Sequence, residues 1–358
     1  MIDERNWPDV LTALLDGDDL SVSQAEWAMS AFMAGEATGA QIGGFLVALR
    51  AKGVTVDEVI GFRDAILAAA EPIELPAMSL DIVGTGGDRF GTVNISTMAS
   101  ITAAAAGAPV VKHGNRAASS LSGSSDVLSA LGVDLGLDAG QLARAFDEAG
   151  IAFVHAARFL TGFRHVAPAR AELGIPTVFN FLGPLCNPVR PEASAVGVAD
   201  LERVPLFVGV FQLRGASALV FRGDDGLDEL TTTGHSRIWE VSRGAVTEHD
   251  LDPRDLGIAR ASISDLAGGT PEENADVVRR VLGGEPGPVR DVVLLNAAAG
   301  LVAYDLASDP ETAERPLLER LGGGMRRAAD AIDSGLAVAK LEAWVRSTAR
   351  QGSGEAHR

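Results

Sequence analysis

One cysteine, Cys186, stands in 358 residues. An intrachain disulfide and a thiolate metal cluster are therefore excluded, and the usage fits a reducing compartment. Cations are scarce too: 30 Lys and Arg face 48 Asp and Glu, a net charge of −18. That balance argues against broad binding of a nucleic-acid backbone, which needs a basic face. It leaves room for a small anionic ligand, because a local site can oppose the global sign. No stretch approaches the ~18–20 apolar residues expected of a membrane helix. Met1–Asp9 mixes acids with Arg5 and Asn6, so it lacks a signal peptide's apolar core,.

What is present is ordinary for a globular chain, with 47% apolar and 22% charged residues,. The length allows one large domain or two smaller ones and an ample core. Residues 1–70 read as helices. Ser21-Val22-Ser23-Gln24 and Thr55-Val56-Asp57-Glu58 predict capping boxes,. Apolar stripes follow at Ala25, Ala28, Met29, Phe32 and Met33, at Ile42, Phe45, Leu46 and Leu49, and at Val59, Phe62 and Ile66,. None carries obvious chemistry, so they read as a small bundle or a dimer face. Glu71–Pro76 is a linker, since two prolines forbid continued helix,.

Beyond the linker, short apolar runs at Leu80–Val83, Pro109–Lys112, Ala218–Phe221 and Asp291–Leu295 read as buried strands,. Helical segments alternate with them at Thr97–Ala106, Ala139–Ala149 and Pro205–Leu213. The predicted fold class is α/β: a small helical N-terminal domain over residues 1–75, then a larger α/β domain over 76–347. Its central sheet is mainly parallel and covered by helices, and ligands bind at the carboxyl ends of such strands. The polar segment 348–358 reads as a disordered tail,.

Four segments carry chemistry. Asp81-Ile82-Val83-Gly84-Thr85-Gly86-Gly87-Asp88 runs a strand into three glycines, which form either an ordinary turn or an anion-binding nest,. Thr92-Val93-Asn94-Ile95-Ser96-Thr97 opens a helix, as simple capping or as a phosphate site at its N-terminus,. Lys112 to Asp126 packs two fixed cations, an imidazole, an amide and five hydroxyls into one loop at a strand end, which suits a polyphosphate,. Asp224-Asp225-Gly226-Leu227-Asp228-Glu229 reads as a general acid–base pair, a Mg²⁺ site or a solvated acidic turn. Mg²⁺ prefers one or two carboxylates completed by substrate phosphates and water. In the turn-rich crossing that follows Arg164, Arg170 fits either a surface ion pair or a carboxylate fork,.

The order GTGGD, NIST, KHGNR-x-x-SS-x-SGS, ELGI-x-T-x-FN-x-LGPL-x-NP and DGLDE resembles the anthranilate phosphoribosyltransferases, from about residue 7 to about residue 347. The resemblance implies transfer of the phosphoribosyl group of phosphoribosyl pyrophosphate (PRPP) to the amine of anthranilate, a cytoplasmic step of tryptophan biosynthesis. It implies that helices from about 166–190 join the helical domain, through which two copies form a homodimer. PRPP falls on Gly84, Gly87, Asp88, Thr92, Asn94, Ile95, Ser96 and Thr97, on the loop Lys112, His113, Gly114, Asn115, Arg116, Ala117, Ala118, Ser119 and Ser120, and on Ser124. Mg²⁺, as two ions, falls on Ser96, Asp228 and Glu229. Anthranilate falls near Gly84, Asn115 and Arg170. No covalent nucleophile is implied; Lys112, Asp228 and Glu229 act electrostatically, and neither nucleic acid nor membrane is a partner.

Three positions depart from the family pattern. Arg89 stands where Gly is usual, either as a phosphate contact or facing solvent. Ala171 replaces a second Arg, a lost surface charge. Leu160-Thr161 replaces a His-Pro pair on the acceptor side, making that wall more apolar. A same-fold enzyme with another acceptor, or a nucleoside phosphorylase, is the alternative. A non-catalytic nucleic-acid-binding relative is opposed by the net charge.

Overall fold

The computed structural model describes residues 6–115 and 121–352. Four helices come first: α1 (Trp7–Asp16), α2 (Val22–Ala34), α3 (Gly39–Lys52) and α4 (Val56–Ala68). Both expected capping boxes form, Ser21 with Gln24 and Thr55 with Glu58, and a third joins Thr38 to Gln41. Segment 71–76 is not helical, as its prolines require,.

The rest alternates strand and helix through β1 (Leu80–Gly84), α5 (Ile95–Ala105), β2 (Val110–Gly114), α6 (Ser124–Leu131), α7 (Ala139–Ala149), β3 (Ile151–His155), α8 (Ala156–Phe159), α9 (Phe163–Leu173), β4 (Ala193–Gly197), α10 (Val204–Arg214) and β5 (Ser217–Gly223). An antiparallel pair, β6 (Ser236–Ser242) and β7 (Ala245–Leu251), follows, and then α11 (Pro271–Leu282), α12 (Pro288–Ser308), α13 (Leu317–Asp333) and α14 (Leu336–Gly352). The sheet order is β3-β2-β1-β4-β5-β6-β7, parallel from β3 to β5. Chain order reverses between β1 and β4. A crevice outside the carboxyl ends of the strands at such a switch point is where open α/β sheets hold ligands.

One face of the sheet packs Leu80, Ile82, Val110, Ala195 and Leu219 against α5 and α11–α14. On the other face, Val196 and Val220 belong to an apolar cluster that runs through α10 into α1–α4 and takes in Val166, Phe179 and Leu185. Helix α9 packs on α2 and α3.

Three expectations need correction. Asp291–Leu295 is not a strand but the second turn and more of α12. A short apolar run does not reveal its period, and Pro288 at the start of a long apolar segment opens a helix instead,. The 21-residue α12 is also long and apolar enough to reach membrane-span dimensions, but 72% of its most apolar window is buried inside the protein as a core helix. Finally, Thr348–Gln351 belongs to α14 rather than to a disordered tail. Thr348 is 1% exposed, its Oγ1 accepts from Asp134 N (3.2 Å), and Gln141 Nε2 donates to Gln351 O (3.0 Å). Residues 353–358 lie outside the described residues.

Candidate active site

Glycines at the strand ends create the site by leaving room. Gly84 of β1 and Gly197 of β4 stand opposite each other in the parallel ladder. A Cβ on Gly84 would sit 2.2 Å from Asp228 Oδ2, and one on Gly197 would sit 1.6 Å from the backbone O of Asp228. The segment after β5 thus folds back over the switch point, and only hydrogen at these positions lets it do so. Asp225 fastens that segment. Its Oδ1 accepts from Leu227 N (3.0 Å), and its Oδ2 accepts from Thr231 Oγ1 (2.6 Å) and from Thr233 Oγ1.

Opposite lies the glycine loop. Gly86, Gly87, Arg89 and Gly91 take left-handed φ values of 68°, 89°, 63° and 63°. Such a run curls the backbone so that its N–H groups converge. The N–H of Gly86 donates to Asp228 Oδ2 at 2.6 Å. The position where the family pattern has Gly therefore needs the left-handed backbone. Arg89 accepts that strain and is exposed,. Thr92 pairs with Ala267 in an isolated bridge, and Gly268 N donates to Gly91 O (2.8 Å), tying the loop down.

Asn94 does not cap α5 with its side chain. Its Nδ2 donates to Ser122 O (3.1 Å) and its Oδ1 accepts from Asn274 Nδ2 (2.9 Å). The helix N-terminus is left open to the site, where the Ser96 backbone acts to lower the Glu229 pKa. Ile95 and Thr97 are both 1% exposed, their side chains in the core.

Lys112, near the end of β2, is 1% exposed. Its Nζ donates to Ile82 O (2.5 Å) and Ser96 Oγ (3.2 Å). Burial pulls the ammonium pKa down, while Asp81, Glu229 and Asp228 oppose the fall. Burial also raises Asp81, to about 6. This aspartate accepts from His113 N (3.1 Å) and from Asn187 Nδ2 (2.9 Å). His113 Nδ1 lies 3.1 Å from Gly183 O, and burial lowers its pKa to about 4. A Cβ on Gly114 would meet Phe153 at 2.9 Å. Asn115 closes the strand end and Ser124 begins α6; Arg116, Ala117, Ala118, Ser119 and Ser120 lie outside the described residues.

Asp228 is pushed up to about 7, first by burial and then by the charge of Asp88. Glu229 is raised well above the usual carboxylate range by burial and by Asp228. Neither makes an ion pair with Lys or Arg among the described residues. Asp228 and Glu229, with Asp88 adding negative charge and Lys112 acting on them as a cation, suit a hard divalent ion. Among the described residues no three His, Cys, Asp or Glu side chains close on one point. The protein would then give two carboxylates and the Ser96 hydroxyl, with substrate oxygens and water completing the shell.

Arg170 lies on α9 and makes no hydrogen bond or ion pair with these groups among the described residues. Its guanidinium lies 5.3 Å from the Phe179 ring centroid, burial lowers its pKa, and no ion pair holds it among the described residues. Among the described residues nothing supports the surface-ion-pair reading, and the guanidinium fits a carboxylate ligand. Leu160 is 3% exposed in the apolar cluster beside Ala156 and Val166, while Thr161 and Ala171 are exposed.

The segments 8–70 and 77–338 match the glycosyl transferase family, in its helical bundle domain and its a/b domain respectively. An anthranilate phosphoribosyltransferase of Leifsonia xyli is 64% identical over 348 residues, 97% of this chain and 100% of that one. The chain belongs to the anthranilate phosphoribosyltransferase family. Its fold is that of the family's solved members. The Thermus thermophilus enzyme superposes with a TM-score of 0.86 at 41% identity, covering 95% of this chain and 99% of that one. The Saccharomyces cerevisiae enzyme in complex with PRPP and Mg superposes with a TM-score of 0.86 at 28% identity, covering 97% and 99%. The yeast enzyme in complex with 4-fluoroanthranilate gives 0.82 at 26% identity, covering 97% and 99%.

Sequence reasoning missed Asp81, Asn187, Gly197 and Asp225. Asp81 and Asn187 stand inside quoted motifs, where a buried charge and its amide partner had no visible role. Gly197 lies in an ordinary apolar run and carries no signal.

Proposed function

We infer that this chain transfers the 5-phosphoribosyl group of PRPP to the amine of anthranilate and releases pyrophosphate. The observation that carries this reading is the meeting of Lys112, Ser96, Asp228 and Glu229 at the glycine-lined switch point, in a chain 64% identical to an enzyme of that name. PRPP lies along the Gly84–Asp88 loop, Thr92, the start of α5 and the loop from Lys112 to Ser124. Anthranilate lies near Gly84, Asn115 and Arg170. Ser96, Asp228 and Glu229 hold Mg²⁺, as two ions, and Mg²⁺ neutralises pyrophosphate charge when bound.

The aromatic amine is neutral near pH 7 and attacks ribose C1. The C1–N bond forms, the C1–O bond to pyrophosphate breaks, and the amine proton passes to solvent. Lys112 offsets the charge that builds on the leaving group. Ser96 and the convergent N–H groups fix the donor, so catalysis is mostly positioning. Two copies pair through the helical bundle, where Leu15 of α1 is 76% exposed and Val47 of α3 is 44% exposed. The reaction runs in the cytoplasm.

The test is loss of anthranilate fluorescence when purified protein meets PRPP and Mg²⁺. Loss that requires both additions supports donor, acceptor and metal together. No loss, with PRPP still raising the melting temperature, leaves the donor and refutes the acceptor. Asp228→Asn and Glu229→Gln should weaken Mg²⁺ activation and cut turnover with the fold intact; normal kinetics in both would refute the metal assignment.

A further inference from the structure

We infer that Asn296, in the middle of α12, is a positioning residue for the Asp228–Glu229 pair. The inference rests on the proposed function, because it gives that pair its task.

Asn296 is fully buried. Its Oδ1 accepts from Leu230 N at 2.9 Å, and its Nδ2 donates to Leu230 O and to Val292 O, each at 2.9 Å. One side chain thus satisfies both backbone polar groups of the residue next to Glu229. It does for Leu230 what a neighbouring strand would do, in a segment that has left the sheet. Both peptide planes flanking Leu230 are then tied to α12, and the Glu229 backbone with them.

Helix α12 is a stiff reference. A Cβ on Gly300, one turn beyond Asn296, would sit 2.5 Å from Ile82 Cδ1, so the helix lies hard against β1. It also packs along α5, which carries Ser96. Ser96 Oγ accepts from Lys112 Nζ (3.2 Å), whose charge acts on Glu229 and Asp228. One helix therefore indexes both sides of the candidate metal site: α5 by packing, the carboxylates through Asn296. Asp225 fastens the same segment from its other end, through Leu227, Thr231 and Thr233. Asp228 and Glu229 lie between the two clamps.

A filler of the core would only stabilise. A positioning residue also sets the affinity of the carboxylates for a cation, and loss of such partners weakens metal binding about 10–100-fold. The experiment measures Mn²⁺ binding to the full chain in the presence of PRPP, by the electron paramagnetic resonance of free Mn²⁺. Asn296→Leu removes all three hydrogen bonds at similar volume. Asn296→Asp keeps the acceptor for Leu230 N and loses the donor. Arg320→Met serves as a destabilised control, because Arg320 pairs with Glu240 on β6 and touches none of these groups. We expect both Asn296 variants to bind Mn²⁺ at least about tenfold more weakly, with the KM for anthranilate unchanged and the control like wild type.

Unchanged Mn²⁺ affinity in a folded Asn296 variant overturns the inference. So does an equal loss in Arg320→Met, or failure of both Asn296 variants to fold, since each would make Asn296 a residue of the fold alone. Wild-type protein that binds no Mn²⁺ with PRPP overturns the metal assignment of the proposed function instead, and this inference with it.

Discussion

Gly84 lies directly against the carboxylate of Asp228, so close that a methyl group there would stand 2.2 Å from Oδ2. The contact joins the end of the first strand to the segment after the fifth. It makes the glycine a spacing device at the heart of the candidate site. Gly84→Ala should displace Asp228 and its bond from Gly86, and lower kcat/KM on the order of 10²-fold. Thermal unfolding should show a folded protein. Wild-type kinetics from Gly84→Ala would mean that Asp228 has no fixed part in turnover.

His113 and Asp81 make opposite contributions to acid stability. Between pH 6.5 and about 4, unfolded His113 takes up a proton that the folded chain excludes, so stability falls as the pH falls,. Between 3.8 and about 6, unfolded Asp81 releases a proton that the folded chain keeps, so stability falls as the pH rises,. His113→Asn removes only the first effect. The stability difference between wild type and variant should therefore grow in favour of wild type from about pH 4 to about pH 6.5, by at most about 3 kcal/mol,. Urea midpoints across that range test this, and a difference independent of pH contradicts it.

Arg89 holds a left-handed backbone with a side chain that disfavours it,. Arg89→Gly should stabilise the chain by roughly 0.5–1 kcal/mol, the strain relieved less the added unfolded-state entropy. Arg89→Ala keeps the Cβ and should bring no gain. Denaturant midpoints of the two variants compare them directly.

Arg320 and Glu240 form a buried pair with bonds of 2.9 and 2.7 Å, and His249 Nε2 adds a contact to Glu240 at 3.1 Å. Arg320→Met strands Glu240 and should cost about 3–5 kcal/mol. The pair sits on β6 and α13, away from the strand ends, so KM values should stay at wild-type levels. A change in KM for PRPP would link this edge of the sheet to the site.

The local signals in the sequence were enough for part of the local structure. Capping boxes at Ser21 and Thr55 start helices because their bonds lie within one turn,. Strands at Leu80, Pro109–Val110 and Ala218 show as short apolar runs because both their faces are buried,. The same signal misassigned Asp291–Leu295, since a helix buried all round looks identical over five residues,. It also passed over β3, β4, β6 and β7. Residue types marked part of the candidate site: Gly84 and Lys112 at strand ends, and Asp228 and Glu229 in the turn after β5, are chemically conspicuous wherever they fall.

By itself the sequence determined composition, helix starts, the family pattern and the loops that carry charge, because each depends on residues near one another in the chain. Only the tertiary structure decided which of those loops meet. Asp81 with Asn187, Gly197 with Asp228, and Asn296 with Leu230 are separated by 106, 31 and 66 positions. Their pairing is set by the order β3-β2-β1-β4-β5 and by helix packing on that sheet. No local pattern encodes such contacts, because each side chain reads as ordinary until the fold brings its partner within bonding distance.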